Sequence, residues 1–271
     1  MEAFQIGDDE KPAIWIDGGI HAREWISPHA VVYVAKKVLE NAELHRDLTW
    51  YLVPVANPDG YIYSWSNENS KARFWRKNRS PTRCIYTLGR HTCCAGVDLN
   101  RNFDVFWGDL RLHSTGQTCL AYYHGRHAFS EPEARAIRDF VWQNTDKLKA
   151  FLSVHSYGQL WMYPYSYTNQ TRPAEFEDLV AVANNAVRAI HSYRGTLYKA
   201  GMASELRQKA PGTEIDWVSR QGVKYTYALE LPPSGEHELD GFLMKNTDLH
   251  AAVAEVWQGI QTVARAVIEE L

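Results

Sequence analysis

The spacing of apolar and polar positions predicts strands and helices in alternation along the chain. The run AIWIDGG at 13–19 is apolar and ends in two glycines, which is typical of a buried strand. The next segment, SPHAVVYVAKKVLENAEL, has apolar residues at helical spacing, with Ser27 as the expected N-cap and Pro28 at the first helical position. The residues expected on its buried face are Val31, Val34, Ala35, Val38 and Leu39.

The same pattern continues toward the C-terminus. LTWYLVPVAN, KAFLSVHS and KYTYALEL are typical of buried strands, and SEPEARAIRDFVWQNTD predicts a helix that opens with a capping box from Ser130 to Glu133. A long helix is expected around residues 175–193, and a closing helix from about Thr247. Apolar strands that alternate with amphipathic helices indicate an α/β fold with helices on both faces of the sheet. Because we find no repeat, linker or low-complexity tract, we expect one domain over residues 1–271.

Composition limits the classes of partner. The 271 residues are 45% hydrophobic, and their formal net charge of −3 comes from interspersed acids and bases. This balance gives no indication of a nucleic-acid or membrane partner. No apolar run approaches the roughly 20 residues that cross a bilayer, and the first residues, MEAFQIGDDEK, are acidic where a signal peptide is basic. We therefore expect neither an anchor nor an export signal in this chain.

The stretch from Ser64 to Gly125 has little periodicity and is far longer than an ordinary connection, which indicates loops that serve a site. It contains all four cysteines, Cys84, Cys93, Cys94 and Cys119. Two disulfides are favoured and would imply an oxidising compartment. A structural zinc knuckle with His91 and four unpaired thiols are the alternatives.

The loop after the first strand carries a possible metal-binding pair, His21 and Glu24, in DGGIHAREWISPHA. In an open α/β sheet, ligands collect beyond the carboxyl ends of the strands, where this loop lies. His155, at the end of KAFLSVHS, has the same kind of position, and two histidines with one glutamate are an established catalytic zinc set. Taken singly, the pair could be solvated surface groups and His155 an ordinary core or rim histidine.

Glu230 lies late in the apolar run KYTYALEL. A carboxylate there must be partnered or functional, because burying it alone is costly. Metal-assisted hydrolysis needs a carboxylate close to the metal as general base, and Glu230 is the candidate. A structural salt bridge is the alternative.

Six segments then carry a resemblance to a known family. PAIWIDGGIHAREWISPHA, NPDGY, FWRKNRS, GVDLNRNF, FLSVHSYGQLWMYPY and DW followed by QGVKYTYALEL occur in the order and spacing of the pancreatic-type zinc metallocarboxypeptidases, the carboxypeptidase A/B family. The likeness runs from about Lys11 to the C-terminus. It implies a mixed central sheet, one zinc ion held by His21, Glu24 and His155, and Glu230 as general base.

The resemblance also implies roles for residues that would otherwise pass for solvated charges or a turn. Arg76 matches the arginine that polarises the scissile carbonyl, and Asn100 with Arg101 matches the pair that grips a terminal carboxylate. Asp98 resembles the carboxylate that orients a ligand histidine. Further matched substrate-binding positions are Arg23, Arg73, Ser156 and Tyr157. Cys94 and Cys119 correspond to the family's loop disulfide, and Cys84 and Cys93 resemble an additional pair.

The positions that set substrate binding and specificity follow the family pattern less closely. An ungapped count places Gln208 where the family has a mobile tyrosine that closes over substrate, so we expect catalysis to survive while closure and affinity suffer. Ile215 falls at the base of the pocket for the C-terminal side chain, which favours apolar or aromatic residues. Glu214 is adjacent and Arg207 is close, so a B-type preference for Lys and Arg, with Glu214 as the pocket acid, is the alternative.

The chain is also expected to lack the first helix and two strands of the family's catalytic domain, leaving an exposed sheet edge. Our leading hypothesis is a secreted, monomeric zinc exopeptidase acting on peptide and protein C-termini. A zinc-containing protein that binds peptides without cleaving them is the hypothesis from another class. Glu230 and Arg76 speak against it, because a binding module needs neither.

Overall fold

Strands and helices alternate along the chain, as the apolar pattern predicts. The computed structural model describes residues 2–66, 71–87, 90–109, 111–233 and 240–271. The strands are β1 (Phe4–Ile6), β2 (Ala13–Gly18), β3 (Thr49–Val53), β4 (Arg83–Thr87), β5 (Arg90–Cys94), β6 (Leu148–Ser156), β7 (Leu160–Tyr163), β8 (Lys199–Met202) and β9 (Tyr225–Leu231). The α-helices are α1 (Ile26–Leu39), α2 (Ala42–Asp47), α3 (Pro58–Trp65), α4 (Pro132–Asn144), α5 (Phe176–Arg194), α6 (Ala203–Leu206), α7 (Glu214–Arg220) and α8 (Asn246–Glu269).

The central sheet has seven strands in the order β1-β3-β2-β6-β9-β7-β8. Strands β3, β2, β6 and β9 are parallel, whereas β1 is antiparallel to β3 and β7 is antiparallel to β9. The sheet is therefore mixed, as the resemblance implies. The outer side of β3 is paired with the three-residue strand β1, which forms one edge of the sheet, and so short an edge offers little to a passing strand.

Both faces of the sheet are covered, because successive side chains of a strand point to opposite sides. Ile14 and Ile16 pack with α1, α5 and α8, whereas Ala13 and Trp15 pack with α4 and α7. The four parallel strands all end at one edge of the sheet, so the loops that follow β2, β6 and β9 lie close together.

Three details of the helices differ from the prediction. Ser27 is not the N-cap of α1 and Pro28 is not its first residue, because the helix begins at Ile26. The Ser27 hydroxyl accepts from Gly19 N–H and donates to the carbonyl of Glu24. The Ser130 to Glu133 capping box is also wrong, because the Ser130 hydroxyl donates to the side chain of Glu131 instead. Leu39 is 63% exposed, since α1 ends there. Both serine hydroxyls also accept from distant residues, Ser27 from Gly19 N–H and Ser130 from the Asn102 side-chain amide, so tertiary contacts overrode the local capping pattern.

The long aperiodic stretch contains a hairpin and two disulfides. Strands β4 and β5 pair with each other, and the bonds join Cys84 to Cys93 and Cys94 to Cys119. Both pairs agree with the expectation, and they exclude the zinc knuckle and the unpaired thiols. Residues 67–70, 88–89 and 110 of this stretch lie outside the described residues.

The sequence pattern did not predict β1, β7, β8 or the short helices α2, α3, α6 and α7. Within the described ranges, no helix is both long and apolar enough to span a bilayer. One sheet includes strands from Phe4 to Leu231, and the organisation as a single domain stays a prediction.

Candidate active site

The loop that leaves β2 has a backbone that only small residues allow. Gly19 has a φ of +65°, a left-handed conformation that suits glycine. A side chain on Gly18 would collide with the backbone of Ser27, at 2.8 Å. Asn57, fully buried, donates from its side-chain amide to the carbonyls of Ile20 and Lys77. This amide fixes the loop of His21 against the segment of Arg76.

Three buried side chains converge at the end of the sheet. His21 Nδ1 lies 2.7 Å from Glu24 Oε1, and His155 Nδ1 lies 3.2 Å from His21 Nδ1 and 3.1 Å from Glu24 Oε2. One donor atom from each residue lies within 4.8 Å of the others. The sequence-predicted ligand set is thus assembled in space.

This donor set fits a zinc ion. Tetrahedral zinc with Zn–N bonds of about 2.0–2.1 Å separates two ligand nitrogens by about 3.3 Å, close to the separation of the two Nδ1 atoms. His21 Nε2 lies 3.2 Å from Asp98 Oδ1, and His155 Nε2 lies 3.2 Å from Ser153 Oγ. With Nε2–H directed at these oxygens, each Nδ1 lone pair is left for the metal. The triad His21, Glu24 and His155 is the zinc-binding site.

Asp98 is completely buried and contacts three parts of the site. Its Oδ1 accepts from His21 Nε2 and from the backbone N–H of Asn100, and its Oδ2 lies 3.0 Å from Arg76 Nη2. Burial would raise the pKa of this carboxyl, but Arg76 and the His21 hydrogen bond outweigh burial and hold the pKa far below its ordinary value. Asp98 is therefore a permanent anion beside the metal ligand, as the resemblance implies.

Glu230 carries a carboxylate next to the triad and is not one of the three zinc ligands. It is paired with His155 across the parallel strands β6 and β9. Burial, with a smaller contribution from the Glu24 carboxylate, raises the pKa of Glu230 to about 7. A carboxyl that ionises near neutral pH is suited to accept and return a proton.

These groups open onto a cavity of about 330 Å³. Its polar side includes Asn100 and Arg101. Arg101 donates from Nε to the carbonyl of His113 and from Nη1 to that of Asn100, which leaves Nη2 without a hydrogen-bond partner among the described residues. Sequence-predicted residues that line the cavity are His21, Arg23, Glu24, Arg76, Asn100, Arg101, His155, Ser156, Tyr157, Gln208, Ile215 and Glu230.

Arg73 and Glu214 lie outside that lining. Arg73 is stacked on Trp25, with Cζ 3.6 Å from the ring centroid. It donates to the backbone carbonyls of Arg23 and Phe242, two residues that do line the cavity. Glu214 is fully buried and accepts from Ser153 Oγ at 2.7 Å. Burial and the neighbouring Asp17 carboxylate raise the pKa of Glu214 well above its ordinary value, so its ionised form is disfavoured.

Several lining residues were not predicted. One of them is Tyr122, whose ring centroid lies 5.2 Å from Cζ of Arg76 and 5.5 Å from Cζ of Arg101. The Cys94–Cys119 bond secures the loop that carries it. Other lining residues that sequence reasoning missed are His113, Met162, Ser166, Ala203, Ala210, Thr213, Ala228 and Phe242. Except for Ala228, which lies in the predicted strand β9, they come from short elements and loops, where no periodic pattern marks them.

Comparison with known proteins agrees with this geometry. Residues 1–259 match the family described as zinc carboxypeptidase. The chain is 37% identical to carboxypeptidase B of Astacus astacus over 96% of its length and 82% of that protein, and 38% identical to carboxypeptidase A1 of Bos taurus over 99% of its length. It spans 61% of the latter, and similar shares of the other mammalian relatives. Its fold matches bovine thrombin-activatable fibrinolysis inhibitor with a TM-score of 0.87 and 35% identity, covering 99% of this chain and 86% of the other.

The Asp98 contacts generate a prediction about metal affinity. Replacing Asp98 with Asn removes the anion that receives His21 Nε2–H, and loss of such a partner typically weakens metal binding about 10- to 100-fold. Zinc affinity is measured by competition with a chromophoric chelator. The control is Asp104→Asn, which removes an exposed carboxylate nearby. Equal zinc affinity in the two variants would contradict the role of Asp98.

Proposed function

The chain belongs to the zinc carboxypeptidase family, and we propose that this protein hydrolyses the C-terminal peptide bond of peptides and proteins, releasing one residue. The observation that carries the proposal is the meeting of His21, Glu24 and His155 beside Glu230. These groups share one cavity with Arg101. A set of zinc ligands, a general base and an arginine that can bind a terminal carboxylate together suit hydrolysis at the C-terminal end of a peptide.

The carboxylate grip selects the substrate end. Arg101 is buried, held by two backbone carbonyls, and lines the cavity, and its Nη2 has no hydrogen-bond partner within the described part of the chain. A guanidinium fixed in this way can hold a terminal carboxylate through charge-assisted hydrogen bonds. The Asn100 side chain is itself oriented, because its Oδ1 accepts from Glu214 N–H at 2.8 Å. This supports exopeptidase rather than endopeptidase action.

The chemical step divides among three groups. When bound, zinc supplies a Lewis acid that activates water and polarises the scissile carbonyl. The Glu230 carboxylate accepts a proton from the attacking water and then delivers it to the amine of the leaving residue. The Arg76 guanidinium, held by Asp98, donates to the oxygen on which negative charge develops. Because its ion pair exists before substrate arrives, Arg76 needs no reorganisation.

Gln208 does not interrupt this chemistry. It lies at the cavity, exposed, in the loop after α6. None of the three steps above uses a phenol at that position, so catalysis is expected to continue while closure over the substrate is weakened. The presence of both Arg76 and Glu230 in the cavity supports an enzyme over a protein that only binds peptides.

We propose an apolar or aromatic C-terminal residue as substrate. The pocket beside the grip includes Ile215, Met162, Ala203 and Ala228, which are buried and apolar. The B-type alternative needs an anion at the base, yet Glu214 lies outside the cavity lining, and burial with the Asp17 carboxylate disfavours its ionised form. Both points support A-type over B-type specificity.

Two features of the chain support a proposal about its compartment and its oligomeric state. Two disulfides favour an oxidising, extracellular compartment, as expected of a secreted peptidase. The catalytic groups named above all come from one chain, so we propose that the monomer suffices.

Removal of the base tests the mechanism. Glu230→Gln should lower kcat about 10²- to 10⁴-fold, the usual contribution of a general base, while zinc content and thermal unfolding stay unchanged. The measurement is release of C-terminal phenylalanine from a blocked peptide, with and without a chelator. Glu205→Gln, an exposed glutamate on α6, serves as control and should match the parent. A fully active Glu230→Gln protein would refute the proposed mechanism.

The pH profile gives a second test. Glu230 must be ionised to act as base, so kcat/KM should fall as pH falls through the pKa of Glu230. Burial raises that pKa to about 7, and a bound zinc cation lowers it, so the acid limb should lie at or below pH 7. The limb should be absent from the residual activity of Glu230→Gln. Persistence of the same limb in that variant would assign it to another group.

Specificity can be tested at Glu214. Because this side chain is fully buried and outside the cavity lining, Glu214→Gln should leave the preference for C-terminal Phe over Lys within about twofold of the parent. The kcat/KM values of two peptides that differ only in the last residue provide the measurement. A parent that prefers Lys, and loses that preference in the variant, would establish the B-type alternative.

A further inference from the structure

Arg207 is an arginine of the cavity that has no role in the reaction described above. The cavity contains Arg23, Arg76, Arg101 and Arg207. Arg76 serves the oxyanion, Arg101 the terminal carboxylate, and Arg23 packs its guanidinium on Phe242 at 4.2 Å. Arg207 stands beside the pocket for the C-terminal side chain, where an apolar lining alone would serve apolar substrates.

The lining of that pocket combines alanines with charged residues. Arg207 directly follows α6, and its N–H donates to the carbonyl of Ala203 at the start of that helix. Ala228 and Glu230 are two apart on β9, so their side chains point to the same face of the sheet. All four residues line the cavity, and the two alanines pack in one apolar cluster with Ile215.

The guanidinium of Arg207 is held beside Glu230 and Tyr157. Its Nη2 lies 3.8 Å from Glu230 Oε1 and donates to the carbonyl of Tyr157. The contact needs a glycine at 158, because a Cβ there would lie 2.4 Å from Nη2. Nε and Nη1 have no hydrogen-bond partner among the residues that the structure describes, and the side chain is 44% exposed. Several N–H donors thus face the cavity unused.

We propose that Arg207 is a specificity-determining residue that lets the pocket accept peptides with an acidic C-terminal side chain, glutamate or aspartate, in addition to apolar ones. This inference rests on the proposed carboxypeptidase activity. The methylene groups of the substrate side chain lie against Ala203 and Ala228, and its carboxylate receives hydrogen bonds from Arg207. The same guanidinium repels a C-terminal Lys or Arg.

The test compares two peptides that differ only in C-terminal Glu or Gln, which have the same shape and different charge. Zinc-loaded full-length parent, Arg207→Gln, Arg207→Lys and Arg188→Gln are assayed at one pH, and the readout is the ratio of kcat/KM for Glu over Gln. Arg188 is an exposed arginine on α5 and controls for the net charge. Any general effect of Arg207 on Glu230 cancels in this ratio.

The expected result is a ratio that falls about tenfold in Arg207→Gln, is partly kept in Arg207→Lys and is unchanged in Arg188→Gln. A ratio unaffected by Arg207→Gln would overturn the inference, and so would a charge preference that follows the penultimate rather than the last residue. A purely structural role, holding Tyr157, would reduce both peptides equally.

A binding measurement keeps this inference separate from the proposed activity. The Kd values of the Glu and Gln peptides are measured for zinc-loaded Glu230→Gln protein, with and without Arg207→Gln. Suppose that the parent protein shows no turnover, but that the binding preference for the Glu peptide depends on Arg207. The specificity inference would then stand, and the proposed activity would be refuted. Equal Kd values for the two peptides would overturn the inference even in an active enzyme.

Discussion

The site depends on one buried carboxylate, that of Asp98. Its two oxygens receive hydrogen bonds from the metal ligand His21, from Arg76 and from the backbone of Asn100. A carboxylate buried without such partners would be costly, so the three groups must be present for Asp98 to remain charged. The position of the metal, the oxyanion donor and the carboxylate grip are therefore fixed relative to one another by electrostatics, before any substrate binds.

The sheet supplies the rigid frame for this arrangement. His155 and Glu230 sit at the ends of the central parallel strands β6 and β9, while His21 and Glu24 follow β2. Asn57 then joins the β2 loop to the Arg76 segment through two backbone carbonyls. Loops carry most of the chemistry, and buried hydrogen bonds give those loops the precision of the strands.

Sequence reasoning recovered the layered fold and the residues that lie at strand ends. His21, His155 and Glu230 were visible because a polar residue at the end of an apolar run is conspicuous. The capping predictions for Ser27 and Ser130 were wrong, because each hydroxyl accepts a hydrogen bond from a residue that no local pattern contains, Gly19 and Asn102 respectively. Tyr122 could not be found, since its role comes from loops that only the fold brings together. The orientation of Glu214, one residue from Ile215, likewise depends on how α7 meets the sheet.

The Cys94–Cys119 bond encloses the segment that carries Asp98, Asn100 and Arg101. A single backbone cut by an endopeptidase between these cysteines would not release a fragment, because the two new ends would stay joined through sulfur. The buried contacts of Asp98 would continue to hold the nicked segment on the sheet. The covalent loop thus gives the site tolerance to proteolytic nicking, which would show as two chains on a gel only after reduction.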